Sequence, residues 1–367
     1  MNDLKTKICE LIALQGPLRV STFMTLALSD EQNGYYKNEM PFGKKGDFIT
    51  APEISQMFGE LIGIWVIETF YKLKKPASFT LCELGPGRGT LMQDLLRTIK
   101  KLSADCFQAA NVLMVETSDK LAALQKQALS SYRDKVRWLK DFDKLPDAPL
   151  ILVANEFLDA LPIDQFIKID GNWHERLITT DDNDELGFTV GNNVLDQTGL
   201  PKKYRDLPEG SVLELSPLRL EFVEKVLKHL SRHRGSALFI DYGSTGLPYG
   251  DTLQAVSRHE FKDIFANPGK DDLTSHVDFS SLEVIAKRHG ILSGVITQGA
   301  FLTGLGLVER AGRLGSDKSH DVQEKIRLDV ERLAAPEEMG TLFKVLALSD
   351  EETGIHPLFT AEQNYRD

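Results

Sequence analysis

The spacing of hydrophobic residues changes near residue 77. Before that point, apolar residues recur at helical intervals, which predicts short amphipathic helices over 4–14 and 21–28 and a longer, buried helix over 54–73. The stretch from Asn33 to Glu53 contains three glycines and two prolines and has no sustained period. A stretch of this length without a regular pattern is typical of a lid or a binding segment.

Beyond residue 77, short apolar runs alternate with amphipathic segments. Repeated strand–helix units of this kind predict an α/β fold with a mostly parallel, doubly wound sheet. We therefore expect an N-terminal helical cap and lid segment over 1–76, and a core over 77–367 with an insertion around 171–235. Residues 180–210 give no interpretable pattern. Strands are predicted over 79–84, 112–115, 136–139, 150–154, 165–169, 175–178, 237–240 and 342–348, and helices over 90–102, 217–233, 279–289 and 318–334.

The composition is that of an ordinary globular chain, with 42% hydrophobic and 26% charged residues. The formal net charge of −11 gives no general attraction for nucleic acid, so no nucleic acid partner is expected. The longest apolar runs are too short to span a bilayer. The N-terminus carries Asp3 and Glu10 and has no arginine before Arg19, unlike a signal or transit peptide, and a cytoplasmic location is therefore predicted. The cysteine and histidine spacings contain no metal-binding motif.

The segment CELGPGRGT, residues 82–90, places three alternating glycines where the first predicted strand gives way to a helix. A dinucleotide-binding turn, G-x-G-x-x-G, would need a third glycine at the position of Thr90. Glu83 is more informative, because its carboxylate would repel a pyrophosphate bound at the helix N-terminus. It would attract a ligand that carries an ammonium and a sulfonium. S-adenosyl-L-methionine (SAM) is such a ligand, although a carboxylate that only caps loop amides is the local alternative for Glu83.

Acidic and aromatic residues follow the next two predicted strands. Glu116 ends the second strand, where a carboxylate suits the two hydroxyls of a ribose in either NAD or SAM. Asp141 and Phe142 lie just past the third strand, where an adenine is expected. Asp141 is equally well explained as a simple turn residue.

The fourth predicted strand ends in ANEFLDALPID, which places Asn155, Glu156 and Asp159 near the position expected for the methyl group. Enzymes that methylate amino groups of DNA bases have an Asn-Pro-Pro-aromatic turn here, and this chain departs from it. Two carboxylates suit a guanidinium, which is planar and always charged. In the local alternative, Asn155 is a helix N-cap and Asp159 is a charge at the start of that helix.

The sequence Thr50-Ala51-Pro52-Glu53 fits a capping box, with Thr50 as the N-cap and Glu53 at the third helical position. Local structure alone therefore accounts for Glu53. It does not account for the glycine-rich, aromatic stretch over 34–48, which could close over a cofactor or substrate.

Several stretches together resemble the MidA-type SAM-dependent methyltransferases, a family that includes a mitochondrial assembly factor of respiratory complex I. The resemblance runs from about residue 20 to residue 350 and is weakest over 180–210. The stretches that carry it are 34–65, 83–91, 154–162, 239–243 and 273–279.

This resemblance implies a class I, Rossmann-like methyltransferase fold with an N-terminal helical cap and an insertion. It also implies SAM as methyl donor and a protein substrate with a target arginine, which in the mitochondrial member is a complex I core subunit. Matched to the family motifs, Glu83, Gly85, Gly87 and Glu116 bind the cofactor, and Asn155, Glu156 and Asp159 lie beside the methyl. Thr50, Pro52 and Glu53 match the cap motif that faces the cofactor, so Thr50 and Pro52 are also expected to bind it.

The leading hypothesis is therefore a protein arginine N-methyltransferase in which Glu53, Asn155, Glu156 and Asp159 are catalytic. An assembly chaperone that binds SAM with little essential turnover is the alternative. A dehydrogenase is disfavoured by Glu83 and Thr90, and methylation of nucleic acid is disfavoured by the negative net charge.

Overall fold

The computed structural model describes residues 3–38, 50–198, 200, 202–246, 250–257 and 260–360. Residues 39–49, which make up much of the predicted lid segment, lie outside this described part. The chain divides into two compact units. The first consists of Met1–Phe48, Leu158–Glu221 and Ser244–Asp278, and the second consists of Ile49–Phe157, Phe222–Gly243 and Phe279–Asp367.

A mostly parallel sheet forms the centre of the second unit. Its strands are β1 (Phe79–Leu84), β2 (Ala110–Val115), β3 (Val136–Leu139), β4 (Leu150–Asn155), β5 (Gly235–Ser244), β6 (Leu292–Thr297) and β7 (Phe343–Ser349). Across the sheet they follow the order β6-β7-β5-β4-β1-β2-β3, and β7 runs antiparallel to both of its neighbours. The remaining pairs in this path are parallel, which confirms the predicted doubly wound sheet.

Every residue of β1 and β4 is buried, because both faces of the sheet are covered. Continuous apolar runs are the sequence signature of such strands, and these two were predicted almost to the residue. Strand β6 was missed, since LSGVIT lies at the sheet edge and small polar residues interrupt its apolar run.

Helices cover the sheet of the second unit, and two of them approach each other closely. Gln56–Lys72 packs on Thr90–Leu102 through Gly59 and Gly63. The others are Ala51–Ile54, Ala104–Ala109, Asp119–Ala128, Phe279–Arg288, Gln298–Gly304, Leu307–Gly315 and His320–Ala334, together with most of Pro217–His233.

The first unit combines two N-terminal helices, Leu4–Gln15 and Val20–Ser29, with strands that come much later in the chain. The short strand Leu18–Arg19 pairs with Asn172–Thr180, and this pairing joins the N-terminus to the insertion. One sheet also contains Asp164–Ile169, Leu186–Val194 and Val212–Leu215, and a three-stranded sheet contains Gln254–Ser257, Glu260–Lys262 and Asp272–Thr274.

These units differ from the predicted division into 1–76 and 77–367. Gln56–Lys72 belongs to the second unit, because its buried face packs on the helix that follows β1. The predicted insertion also pairs with the N-terminal segment, a long-range contact that local periodicity does not reveal. The uninterpreted stretch 180–210 contains the strand Leu186–Val194, whose glycines and exposed asparagines hide the alternation.

Throughout the described ranges, the structure has no helix with the length and apolar character needed to cross a membrane.

We predict that Gly59→Ala destabilises the protein, whereas Gly312→Ala does not. A Cβ at Gly59 would lie 2.7 Å from the Cβ of Asp94, so the two packed helices would have to move apart. The expected loss is about 1–3 kcal/mol of unfolding free energy. At Gly312, in the helix Leu307–Gly315, an added Cβ meets no atom within 4 Å, and alanine should stabilise that helix by about 0.5–1 kcal/mol. Urea denaturation followed by circular dichroism measures both changes, and equal midpoints for the two variants would contradict this packing.

Candidate active site

The turn after β1 is built from glycines in the left-handed region of backbone space. Gly85, Gly87 and Gly89 have φ angles of 58°, 52° and 82°. A Cβ at Gly85 would also lie 3.1 Å from the Phe157 ring. Gly89 is the N-cap of the helix Thr90–Leu102, so the turn leads directly into a helix N-terminus. Backbone amides without side chains above them can be approached closely by a ligand.

Glu83 lies on β1 immediately before this turn and is only 3% exposed. Its Oε2 atom has no hydrogen-bond partner among the described residues. Burial raises the pKa of this carboxyl well above its usual range. The alternative in which Glu83 caps loop amides is not observed for this oxygen. A buried carboxyl without a partner is costly, and a ligand ammonium would supply the missing donor. The residue therefore fits the amino-acid end of SAM.

Glu116 follows β2 and accepts hydrogen bonds from Ser118 and Gln125. The backbone N–H of Ser118 donates to its Oε1 at 2.7 Å, and Gln125 donates to its Oε2 at 3.0 Å. Gln125 also donates to the carbonyl of Gly87 at 2.8 Å and accepts a hydrogen bond from Trp138 at 2.9 Å. Gln125 was not predicted from the sequence. The sequence feature that could have identified it is a polar residue on the buried face of an amphipathic helix.

The two residues predicted after β3 have different environments. Asp141 caps a short 3-10 helix and accepts the backbone N–H of Asp143 at 2.9 Å, so its side chain serves a local turn. Phe142 is buried, with its ring centroid 5.2 Å from that of Phe222. Phe157, which contacts the glycine turn, lies 5.0 Å from the same Phe222 ring. These three aromatic rings form an apolar wall next to the turn, and Phe157 and Phe222 were not predicted.

Glu53 contacts the glycine turn rather than its own helix. The hydroxyl of Thr90 donates to Glu53 Oε1, and Arg88 lies 3.6 Å from Oε2. Thr50 is the N-cap of Ala51–Ile54, but its side chain makes no capping hydrogen bond, so the predicted capping box is not formed. Pro52 lies in the first turn of that helix. Glu53 thus connects the cap motif to the start of the helix that follows β1.

The side chains of Asn155 and Glu156 are hydrogen-bonded to each other at the end of β4. Glu156 has a φ of 50°, which is uncommon for a residue with a side chain. Its backbone N–H donates to the carbonyl of Ile240 at 2.8 Å on the adjacent strand. The Asn155 amide donates to Glu156 Oε1 at 2.9 Å. Asn155 is part of the strand and no helix follows it directly, so its interpretation as an N-cap is wrong.

The hydrogen bond between these two side chains fixes how the Asn155 amide is oriented. An ionised carboxylate only accepts hydrogen bonds, so the atom that faces Glu156 must be the amide nitrogen. The other end, Oδ1, is buried and has no hydrogen-bond partner among the described residues. An acceptor in this state costs free energy until a donor reaches it. The pair therefore presents an acceptor and a carboxylate that suit a substrate N–H and positive charge.

Asp159 belongs to the first unit, whereas the other predicted site residues belong to the second. Its backbone carbonyl accepts a hydrogen bond from Arg219 at 3.1 Å and another from the N–H of Ser275 at 3.1 Å. Arg219 is buried and also donates to the carbonyls of Leu158 and His276. Hydrogen bonds from Arg219 and Ser275 thus hold the backbone of Asp159 in place.

A comparison with protein-family models matches residues 61–296 to the family described as "Putative S-adenosyl-L-methionine-dependent methyltransferase". The chain belongs to this family. The match begins in the helix Gln56–Lys72 and contains the glycine turn, Glu83 and the Asn155–Glu156 pair.

Curated relatives are similar over nearly the whole chain. The Drosophila melanogaster protein named "Protein arginine methyltransferase NDUFAF7 homolog, mitochondrial" is 36% identical, over 91% of this chain and 82% of its own length. The human "Protein arginine methyltransferase NDUFAF7, mitochondrial" is 33% identical, over 91% of this chain and 80% of its own. These names overturn one prediction. The expected cytoplasmic location is wrong, because the named relatives are mitochondrial proteins.

A solved structure supports both the fold and the cofactor. A related protein from Burkholderia thailandensis, bound to S-adenosyl-homocysteine, has a TM-score of 0.85 and 28% identity, covering 98% of this chain and 94% of that one. The predicted class I methyltransferase fold and the predicted use of SAM are confirmed.

We predict that ligand binding releases a proton from Glu83. The raised pKa keeps this carboxyl protonated in the free protein at pH values where an exposed glutamate is ionised, and a ligand ammonium favours the ionised form. Affinity for S-adenosyl-homocysteine should therefore rise as pH rises towards the raised pKa and level off above it. The unfolding free energy of the ligand-free protein should fall between the ordinary glutamate pKa and the raised pKa, because over that range the unfolded chain has lost the proton that the buried carboxyl keeps.

Calorimetry of S-adenosyl-homocysteine binding in buffers of different ionisation enthalpy measures the released proton. In Glu83→Gln, the release should disappear and the affinity should fall roughly tenfold or more. Glu351→Gln, at an exposed turn, is the matched control and should bind as the unmodified protein does. Equal proton release in the unmodified protein and in Glu83→Gln would contradict this assignment.

Proposed function

We propose that the protein transfers the methyl group of SAM to an arginine side chain of a protein substrate. The observation that carries this proposal is the Asn155–Glu156 pair, a buried amide acceptor oriented by a carboxylate at the carboxyl end of β4. The names of the curated relatives, which are protein arginine methyltransferases, support it independently.

The second unit supplies groups for each part of the cofactor. In our proposal, Glu83 holds the ammonium, the backbone of Gly85 and Gly87 lies along the amino-acid end, and Glu116 accepts the ribose hydroxyls. Phe142, together with Phe157 and Phe222, covers the adenine. SAM carries its methyl group on a positively charged sulfur, so the carboxyl groups of Glu83 and Glu116 suit it electrostatically.

The substrate side of the site is proposed to hold a guanidinium. Asn155 Oδ1 accepts one guanidinium N–H, and the Glu156 carboxylate faces the positive charge. An arginine nitrogen that gains a methyl group must lose a proton, and Glu156 is our proposed acceptor for it. Holding the nitrogen in line with the methyl accounts for much of the expected rate acceleration. The left-handed backbone of Glu156 is consistent with this role, because strained residues concentrate at functional sites.

The two remaining predicted catalytic residues receive different proposals. Glu53 is held by Thr90 and Arg88, so we propose that it positions the cap motif against the glycine turn. Asp159 remains a predicted catalytic residue, supported by its place in the matched motif after β4. The physiological substrate proposed here is a subunit of respiratory complex I, which rests on the family resemblance of the sequence motifs.

We predict that Glu156→Gln abolishes most methyl transfer and retains cofactor binding. The substitution keeps the size of the side chain and removes the charge that faces the guanidinium. The rate should fall by about 10²–10⁴-fold, as for the loss of a charged or proton-accepting catalytic group. Affinity for S-adenosyl-homocysteine should change by less than about threefold, since the group does not hold the cofactor. Glu351→Gln is the matched control.

The assay uses radiolabelled SAM and proteins extracted from cells of the source organism that lack the gene, and mass spectrometry identifies the methylated residue. Methylarginine formed by the unmodified protein is the expected product. Methyllysine, labelled nucleic acid, or an unchanged rate in Glu156→Gln would contradict the proposal. Tight cofactor binding without any transfer would favour the assembly chaperone instead.

A further inference from the structure

Gln125 is a fully buried polar residue whose contacts extend beyond its own helix. It lies on the inner face of Asp119–Ala128, beside the buried Leu121 and Ala122. A glutamine in such a position costs free energy unless its amide is satisfied. An apolar residue would pack at this position without that requirement, so the polar side chain calls for a specific explanation.

The contacts of Gln125 determine the orientation of its amide. Trp138 has only a donor on its indole, so the atom that faces it must be the glutamine oxygen. The amide nitrogen then faces the carboxylate of Glu116 and the carbonyl of Gly87, both of which accept. All three partners are therefore satisfied by the same orientation of the Gln125 amide. A network satisfied in this way holds its members rigidly.

These three partners lie on, or shortly after, three adjacent strands of the sheet. Gly87 lies in the turn after β1, Glu116 directly follows β2, and Trp138 is on β3. The Gln125 backbone is also close to the turn, because a Cβ on Gly89 would lie 3.4 Å from the Cα of Gln125. Gln125 therefore connects the carboxylate after β2 to the glycine turn after β1.

We propose that Gln125 is a positioning residue that sets how strongly the site recognises the ribose of the cofactor. It holds the Glu116 carboxylate at a fixed place relative to the glycine turn, so that the nucleoside and the amino-acid end of one ligand can be bound at the same time. The inference deepens the proposed function and rests on the proposed assignment of Glu116 to the ribose hydroxyls.

The test compares the affinities of two ligands, S-adenosyl-homocysteine and its analogue that lacks both ribose hydroxyls. For each variant, calorimetry gives the affinity ratio, which is the affinity for S-adenosyl-homocysteine divided by the affinity for the analogue. Gln125→Met keeps the length and packing of the side chain and removes its hydrogen bonds. Gln125→Glu keeps the shape and places an acceptor against Glu116 and the Gly87 carbonyl. Gln127→Met, at an exposed position of the same helix, is the matched control.

We expect Gln125→Met to lower the ratio by roughly tenfold, Gln125→Glu to lower it further, and Gln127→Met to leave it unchanged. If Gln125 only stabilised the fold, both ligands would lose affinity together and the ratio would stay constant, which would overturn the proposal. Trp138→Phe keeps an aromatic ring and removes the indole N–H that fixes the amide, and it is the second test if Gln125→Met does not fold. An unchanged ratio in Trp138→Phe would also count against the proposal.

Glu116→Gln separates this inference from the assignment beneath it. If Glu116→Gln lowers the ratio and Gln125→Met does not, Gln125 is not the positioning residue, whereas the ribose assignment stands. If Glu116→Gln leaves the ratio unchanged, the ribose assignment fails and this inference fails with it. Neither outcome depends on the identity of the methyl acceptor, because both are measured by ligand binding alone.

Discussion

The site depends on a single constraint, the left-handed turn that joins β1 to the helix Thr90–Leu102. Side chains are strained at the three glycines of this turn, so the backbone stays bare and open to a ligand. The surrounding side chains contact this turn. Phe157 packs on it, and Gln125 donates a hydrogen bond to the carbonyl of Gly87. Glu53 accepts a hydrogen bond from Thr90, the first residue of the helix that follows the turn. Because the strands of the buried sheet are parallel, their carboxyl ends lie at one side of the sheet, and the site residues that follow β1, β2 and β4 lie there too.

Two features at this edge cost free energy in the absence of ligand. Glu83 is a buried carboxyl whose Oε2 lacks a partner, and Glu156 holds a backbone conformation that side chains rarely adopt. Such features persist where the surrounding structure over-determines them, and they are concentrated at functional sites. The two residues also carry carboxyl groups, which suit the positive charges of SAM and of a guanidinium. The electrostatics of the second unit are thus consistent with methyl transfer to a basic side chain.

Much of the central sheet was predictable because buried parallel strands appear as continuous apolar runs, as in β1 and β4. The glycine turn was predictable because it lies in consecutive residues, and the cofactor-binding roles of the turn and Glu83 remain predictions. Gln125, Phe157 and Phe222 were not, since their importance arises from contacts between segments that are distant in sequence. The same reason explains the first unit, where the strand Leu18–Arg19 finds its partner in the insertion.

In our proposal, the glycine turn and Glu83 together bind the amino-acid end of SAM. A crystal structure of the protein with S-adenosyl-homocysteine would show whether they do. We expect the ligand ammonium at about 3 Å from Glu83 Oε2, with the ribose hydroxyls on Glu116. A ligand bound away from the turn, or a Glu83 carboxyl that stays without a partner in the complex, would contradict it.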